Sequence, residues 1–197
     1  YMNMFSLQQK IDRNQNLFQS SILVGDHIYS VNKFQYEVYK CYQNNDVISI
    51  SAPTSAGKSY ILYTILTESV LTELTNVVYI VPTRALISQV EADLDKYLKS
   101  IGKRERVSIM SVPTMTEDLD LSKSNVFVFT QERLHWFITN NAESLIPINL
   151  LIVDEAHKID DGNRGILLQQ KLEELVKFNE NIKVYFSSPF TSNPEVL

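Results

Sequence analysis

Three stretches of this 197-residue chain are apolar at every position: Val77 to Val81 (VVYIV), Val126 to Phe129 (VFVF) and Leu150 to Val153 (LLIV). A strand with one wet face alternates polar and apolar residues, because successive side chains point to opposite sides. A short run with no polar position is dry on both faces, which suits a parallel sheet covered by helices on each side. Helical spacing follows each run. Leu86, Ile87, Val90, Leu94 and Leu98 are in phase after the first, Leu134, Phe137 and Ile138 after the second, and Ile166 to Val176 after the third. Val47 to Ser51 reads as an earlier strand. It leads into a helix from Lys58 to Leu74 with Ile61, Leu62, Ile65, Leu66, Val70 and Leu74 on one stripe. Val107 to Met110 and Ile182 to Phe186 add two more strands. This repeated strand-then-helix order predicts an α/β, doubly wound, mainly parallel sheet flanked by helices.

Composition excludes several other classes. Hydrophobic residues make up 44% and charged residues 21%, too apolar for a disordered chain. No apolar run approaches the ~20 residues that span a bilayer. A single cysteine cannot form a disulfide scaffold, and three scattered histidines argue against a zinc cluster. The N-terminus lacks a charged-then-apolar signal pattern, which points to a cytoplasmic protein. A net charge of −5 makes any grip on nucleic acid local. Residues 1 to 30 read as irregular, although Leu7, Ile11, Leu17 and Phe18 could line a helix that Gly25 and Asp26 would end. From Phe34 the spacing is helical, with Val38, Cys41 and Tyr42 on the same face. That makes Cys41 a small buried apolar residue.

In doubly wound sheets ligands bind beyond the C-terminal ends of the strands. The first strand is followed there by Ala52-Pro53-Thr54-Ser55-Ala56-Gly57-Lys58-Ser59, close to the phosphate-binding pattern G-x-x-x-x-G-K-[ST] with alanine for the first glycine. Such a loop aims backbone N–H groups and a helix N-terminus at phosphates. Gly57 allows close approach, Lys58 reaches the β and γ phosphates, and Ser59 can hold Mg²⁺. After Leu150 to Val153 comes Asp154-Glu155-Ala156-His157. Two acids ending a dry strand need a partner. A metal-bound nucleotide supplies one, with Asp154 positioning Mg²⁺ and Glu155 activating water as general base.

The phosphate loop, followed by DEAH beginning 96 residues after Lys58, resembles the first RecA-like motor domain of a superfamily 2 DEAD/DEAH-box helicase, most closely its DExH branch. The resemblance implies a three-layer RecA-like P-loop NTPase domain over residues 33 to 197, with residues 1 to 32 as an extension. It implies ATP and Mg²⁺ as ligands, and single-stranded or partly duplex nucleic acid as partner. Thr54, Ser55, Ala56, Gly57, Lys58 and Ser59 would cradle the nucleotide, Ser59 and Asp154 would hold the metal, and Gln35, 23 residues before Lys58, would read adenine. An amide can both accept from and donate to a base edge. Pro82-Thr83-Arg84-Ala85-Leu86 and Thr130-Gln131-Glu132-Arg133-Leu134 resemble two nucleic-acid motifs of the family. Pro82, Thr83, Arg84, Thr130 and Arg133 would therefore lie at backbone phosphates.

Ser187-Ser188-Pro189 stands where relatives carry Ser-Ala-Thr, and the continuation Asn193-Pro194-Glu195 also resembles that branch. The resemblance gives Ser187 and Ser188 a coupling role through contact with His157. Ser111 to Thr114 lacks the glycine of a further family motif and takes no role. His135 and Trp136 read as packing residues. Such motors need a second RecA-like domain, for which this chain lacks the length, so the resemblance implies one part of a larger motor protein. A double-strand DNA translocase engine and a non-motor nucleotide-binding module stand as alternatives.

Overall fold

The computed structural model describes residues 21 to 158 and 163 to 189. The readings at Leu7 to Phe18 and at Asn193 to Glu195 lie outside them. The described chain opens with strands β1 (Ser21–Val24) and β2 (His27–Ser30), joined by a turn with Gly25 at φ 58°. Helix α1 (Lys33–Asn44) and strand β3 (Val47–Ser51) follow. The remaining strands are β4 (Asn76–Ile80), β5 (Val107–Met110), β6 (Ser124–Phe129), β7 (Leu150–Val153) and β8 (Lys183–Ser188). The remaining helices are α2 (Lys58–Thr72), α3 (Arg84–Ser100), α4 (Gln131–Asn140) and α5 (Asn163–Phe178).

β3 to β8 form a six-stranded sheet in the order β3-β8-β7-β4-β6-β5, parallel at every pairing. The expected sheet is therefore present. The strands that carry the unbroken apolar runs, β4, β6 and β7, are dry on both faces, whereas the edge strands β3 and β5 are partly exposed. Alternate residues of β4 divide between two cores. Val77 and Tyr79 pack with α2, α3 and the β1–β2 hairpin, while Val78 and Ile80 pack with α4 and α5. α2 lies between the sheet and that hairpin. Every residue from Ile61 to Thr67 is buried, as befits a helix covered on more than one side. No helix among the described residues is long and apolar enough to cross a membrane.

The structure corrects four expectations. Residues 21 to 30 form a hairpin whose Ile22, Val24 and Tyr29 enter the main core. Two four-residue strands carrying two core residues and one give too little periodicity to read. α2 stops at Thr72, where Glu73 turns extended, and Leu74 is exposed. Cys41 is exposed. The buried stripe of α1 runs through Gln35, Val38, Tyr39 and half-buried Tyr42, and at ~100° per residue Cys41 falls about 110° from its centre. Trp136 is 41% exposed, because Leu134, Phe137 and Ile138 fill the inward face of α4; His135 is half-buried.

Candidate nucleotide and nucleic-acid site

The C-terminal edge of the sheet gathers the motif residues in spatial order. It carries the Ala52–Ser59 loop after β3, Ser187 and Ser188 at the end of β8, and Asp154 to His157 after β7. Beyond these come Pro82 to Arg84 after β4, and Thr130 and Gln131 around the end of β6. The strand order explains this grouping. The chain enters at one edge, crosses to build β4, β5 and β6, then returns to insert β7 and β8 beside β3. Motifs far apart in sequence thus become neighbours.

In the loop, Thr54–Ala56 makes a single 3₁₀ turn and Gly57 adopts φ 79°, ψ 38° before α2 begins. A β-carbon on Gly57 would lie 2.4 Å from Gln35 Nε2, so both conformation and space demand glycine here. Ala52, at the pattern's first-glycine position, needs no positive φ and is buried. Lys58 is 95% buried in the sense that only 5% of its surface is exposed, and its Nζ donates to the Ala52 carbonyl at 2.7 Å. Ser55 and Ser59 are exposed.

The start of α1 is fastened to this loop. Asn32 and Gln35 form a reciprocal capping box, with the Gln35 N–H donating to Asn32 Oδ1 and the Asn32 N–H donating to Gln35 Oε1, both at 2.9 Å. Asn32 Nδ2 donates to the Ala56 carbonyl and Gln35 Nε2 to the Gly57 carbonyl, both at 3.1 Å. Gln35 thus braces the loop and keeps one N–H and one lone pair of its amide uncommitted.

Asp154 is held at both oxygens. Oδ1 accepts from the Glu155 N–H at 2.9 Å, and Oδ2 accepts from the Tyr79 hydroxyl at 2.8 Å. Burial, and then the charge of Asp154, push the Tyr79 hydroxyl well above its ordinary range, so it remains a donor. Glu155 has φ 51°, the one non-glycine positive φ among the described residues. That conformation costs ~1–2 kcal/mol and is typical of functional turns. Its carboxylate lies 3.5 Å from His157 Nε2 and 3.2 Å from Lys158 Nζ.

No hydrogen bond joins His157 Nδ1 to the β8 serines. His157 Nδ1 and the hydroxyls of Ser187 and Ser188 are each buried without a hydrogen-bond partner. The short turn carrying His157 packs against β8, and the ring's Nε2 lies 3.5 Å from the Glu155 carboxylate.

Across the edge, α3 and α4 start at Thr83 and Thr130, and neither threonine side chain caps its helix; Gly57 cannot cap α2. Three long helices therefore bring uncapped N-termini to one edge, where backbone N–H groups and dipoles favour anions. Pro82 is buried, while Thr83 and Arg84 are exposed. A cation in a first helical turn opposes the dipole unless an anion joins it. The Thr130 hydroxyl and the Gln131 amide are buried without partners. Arg133 turns back, its guanidinium donating to the Ser111 carbonyl at 2.5 Å, and so fixes the loop after β5.

Sequence reasoning missed two residues of this edge. Asn32 could have been found as an N-cap three residues before a glutamine. Tyr79 carries the only side-chain hydroxyl in Val77 to Val81, but an aromatic suits a strand and gives no further signal.

A family model of the DEAD/DEAH box helicase matches residues 32 to 196. The chain is 32% identical over 151 residues to the ATP-dependent DNA helicase Hel308 of Methanococcus vannielii, covering 74% of this chain and 19% of that protein. It is 28% identical over 166 residues to mRNA transport homolog 4 of Caenorhabditis elegans, covering 84% of this chain and 15% of that protein. It is 27% identical over 169 residues to the DExH-box ATP-dependent RNA helicase DExH9 of Arabidopsis thaliana, covering 85% and 16%. The chain thus spans less than a fifth of the length of these relatives. With a family model matched along most of its length, on a six-stranded parallel sheet that gathers the phosphate loop and the DEAH residues at one edge, this chain belongs to the DEAD/DEAH box helicase family.

Proposed function

We propose that this chain is the first RecA-like, ATP-binding domain of an ATP-dependent nucleic-acid helicase, coupling hydrolysis to movement on, or unwinding of, DNA or RNA. The observation that carries the reading is the convergence at one sheet edge of a Lys58-bearing loop, a doubly held Asp154 and three helix N-termini without side-chain caps. An uncapped α2 preceded by a left-handed glycine suits a triphosphate, and a carboxylate fixed in orientation beside it suits a divalent cation.

Lys58 exchanges the Ala52 carbonyl for the β and γ phosphates, and the N–H groups of Thr54 to Ser59 cradle them. Gln35 turns its uncommitted N–H and lone pair to the adenine edge. Ser59 and Asp154 hold Mg²⁺, which when bound offsets charge on the phosphates. Glu155 orients the attacking water and takes its proton. Pro82, Thr83, Arg84, Thr130 and Arg133 line the path of a nucleic-acid backbone. Ser187 and Ser188, with His157, report the nucleotide state to that path; their unpartnered polar atoms need a partner in another state of the cycle.

A second RecA-like domain, in the rest of a protein several times longer, completes the site and closes over it. The relatives' names divide between DNA and RNA helicases, and phosphate contacts are common to both. The test is Lys58→Ala in the full-length protein. Loss of nucleic-acid-stimulated ATP turnover with an unchanged circular dichroism spectrum is expected; normal turnover would falsify the reading.

A further inference from the structure

We infer that Tyr79 is a positioning residue for the metal-binding carboxylate: its hydroxyl sets the orientation in which Asp154 meets Mg²⁺. The inference rests on the ATPase reading above and adds a residue to it.

Tyr79 is fully buried at the centre of the sheet, on β4 and directly opposite Ile152 of β7, two residues before Asp154. Every other residue from Val77 to Val81 is purely apolar. Packing alone would be served as well by phenylalanine. The ring lies 5.9 Å from that of Tyr63, itself buried, so it has little room to reorient. A buried phenol needs an acceptor, and the one it has is Asp154 Oδ2. The other carboxylate oxygen takes the N–H of Glu155. With one donor on each oxygen, the plane of the carboxylate is fixed before any metal arrives, and each oxygen keeps lone pairs for a cation or its water. The donor on Oδ1 comes from a left-handed residue in a short turn. The donor on Oδ2 comes from the rigid centre of the sheet. Of the two, Tyr79 is the one that ties Asp154 to the framework, and through it the metal to the phosphate loop two strands away.

The test is Tyr79→Phe in the full-length protein, read first by equilibrium binding of a fluorescent, non-hydrolysable ATP analogue against free Mg²⁺. Binding in EDTA should match wild type within about twofold, since the phosphate loop is untouched. The Mg²⁺ concentration giving half-maximal tightening should rise several-fold. Nucleic-acid-stimulated kcat should fall about tenfold, with KM for ATP little changed at saturating Mg²⁺. A wild-type Mg²⁺ profile overturns the inference, whether or not the melting temperature falls, because a merely structural bond between β4 and β7 would lower stability alone. Asp154→Asn is run beside it. Turnover retained in Asp154→Asn refutes the ATPase reading itself; turnover lost there with Tyr79→Phe unaffected refutes only the role of Tyr79.

Discussion

Gly57→Ala tests how the phosphate loop is built, because its cost divides into separable parts. The alanine must adopt φ near 79°, a left-handed strain of ~1–2 kcal/mol. Its β-carbon would sit 2.4 Å from Gln35 Nε2, so the glutamine must leave. Gln35 then loses its bonds to the Gly57 carbonyl and to the Asn32 N–H, at ~1 kcal/mol each. The total is about 3–4 kcal/mol. Gln35→Ala alone removes the same two bonds and should cost about 2 kcal/mol. If the effects were independent, the double variant would lose about 5–6 kcal/mol. If they share Gln35, it should lose no more than Gly57→Ala alone, a coupling of about 2 kcal/mol. Urea unfolding of the four proteins, followed by far-ultraviolet circular dichroism, gives all the values. Additive losses would show that glycine is not required by Gln35, and the bracing of the loop by α1 would have to be abandoned.

Other perturbations have equally definite outcomes. Phe137→Ala removes a fully buried ring 4.9 Å from Phe127 and 5.7 Å from Phe129, and should cost ~3–5 kcal/mol in the same unfolding assay. Arg84→Ala should weaken nucleic-acid binding about equally for all sequences and reduce the magnitude of the slope of log affinity against log salt by about 1, measured by fluorescence anisotropy. Glu68, half-buried, is raised above its ordinary range by burial, against the opposing hydrogen bond from Tyr39 and the charge of Lys183. A carboxyl with a raised folded-state pKa stabilises least when ionised, so its penalty is absent below the ordinary value and grows as pH rises through the raised one. Glu68→Gln keeps an acceptor for Tyr39 and should be the more stable protein at pH 8, by less than about 1 kcal/mol given the partial exposure, with the difference gone near pH 4. An equal difference at both pH values would refute burial as the cause.

Much of this architecture was legible because the chain states it twice. Runs such as VVYIV and LLIV fix strands that are dry on both sides, and the motif residues come just after them. The sheet, its parallel sense and the alignment of the phosphate loop with the DEAH residues follow from those two facts together. What escaped has several causes. Cys41 and Trp136 lie about 110° and about 150° from the centres of the buried stripes of their helices, so their exposure follows from helical phase, which their apolar character masked. The hairpin over α2 is too short to show alternation. The 3.5 Å approach of His157 to the Glu155 carboxylate lies in a short turn with a left-handed residue, which no sequence periodicity reports. Tyr79 looks like a core aromatic until the register of β4 and β7 places its hydroxyl on Asp154.

The central claim is that Glu155 activates water in a nucleic-acid-dependent ATP site on this domain. ATP turnover by the full-length protein, wild type beside Glu155→Gln, with single-stranded DNA, single-stranded RNA or neither, addresses it most directly. The wild type should be stimulated by at least one strand. Glu155→Gln should bind the ATP analogue normally yet turn over ~10²-fold or more slowly, the scale of a lost general base. Turnover in Glu155→Gln equal to wild type, or a rate indifferent to both nucleic acids, would contradict the claim.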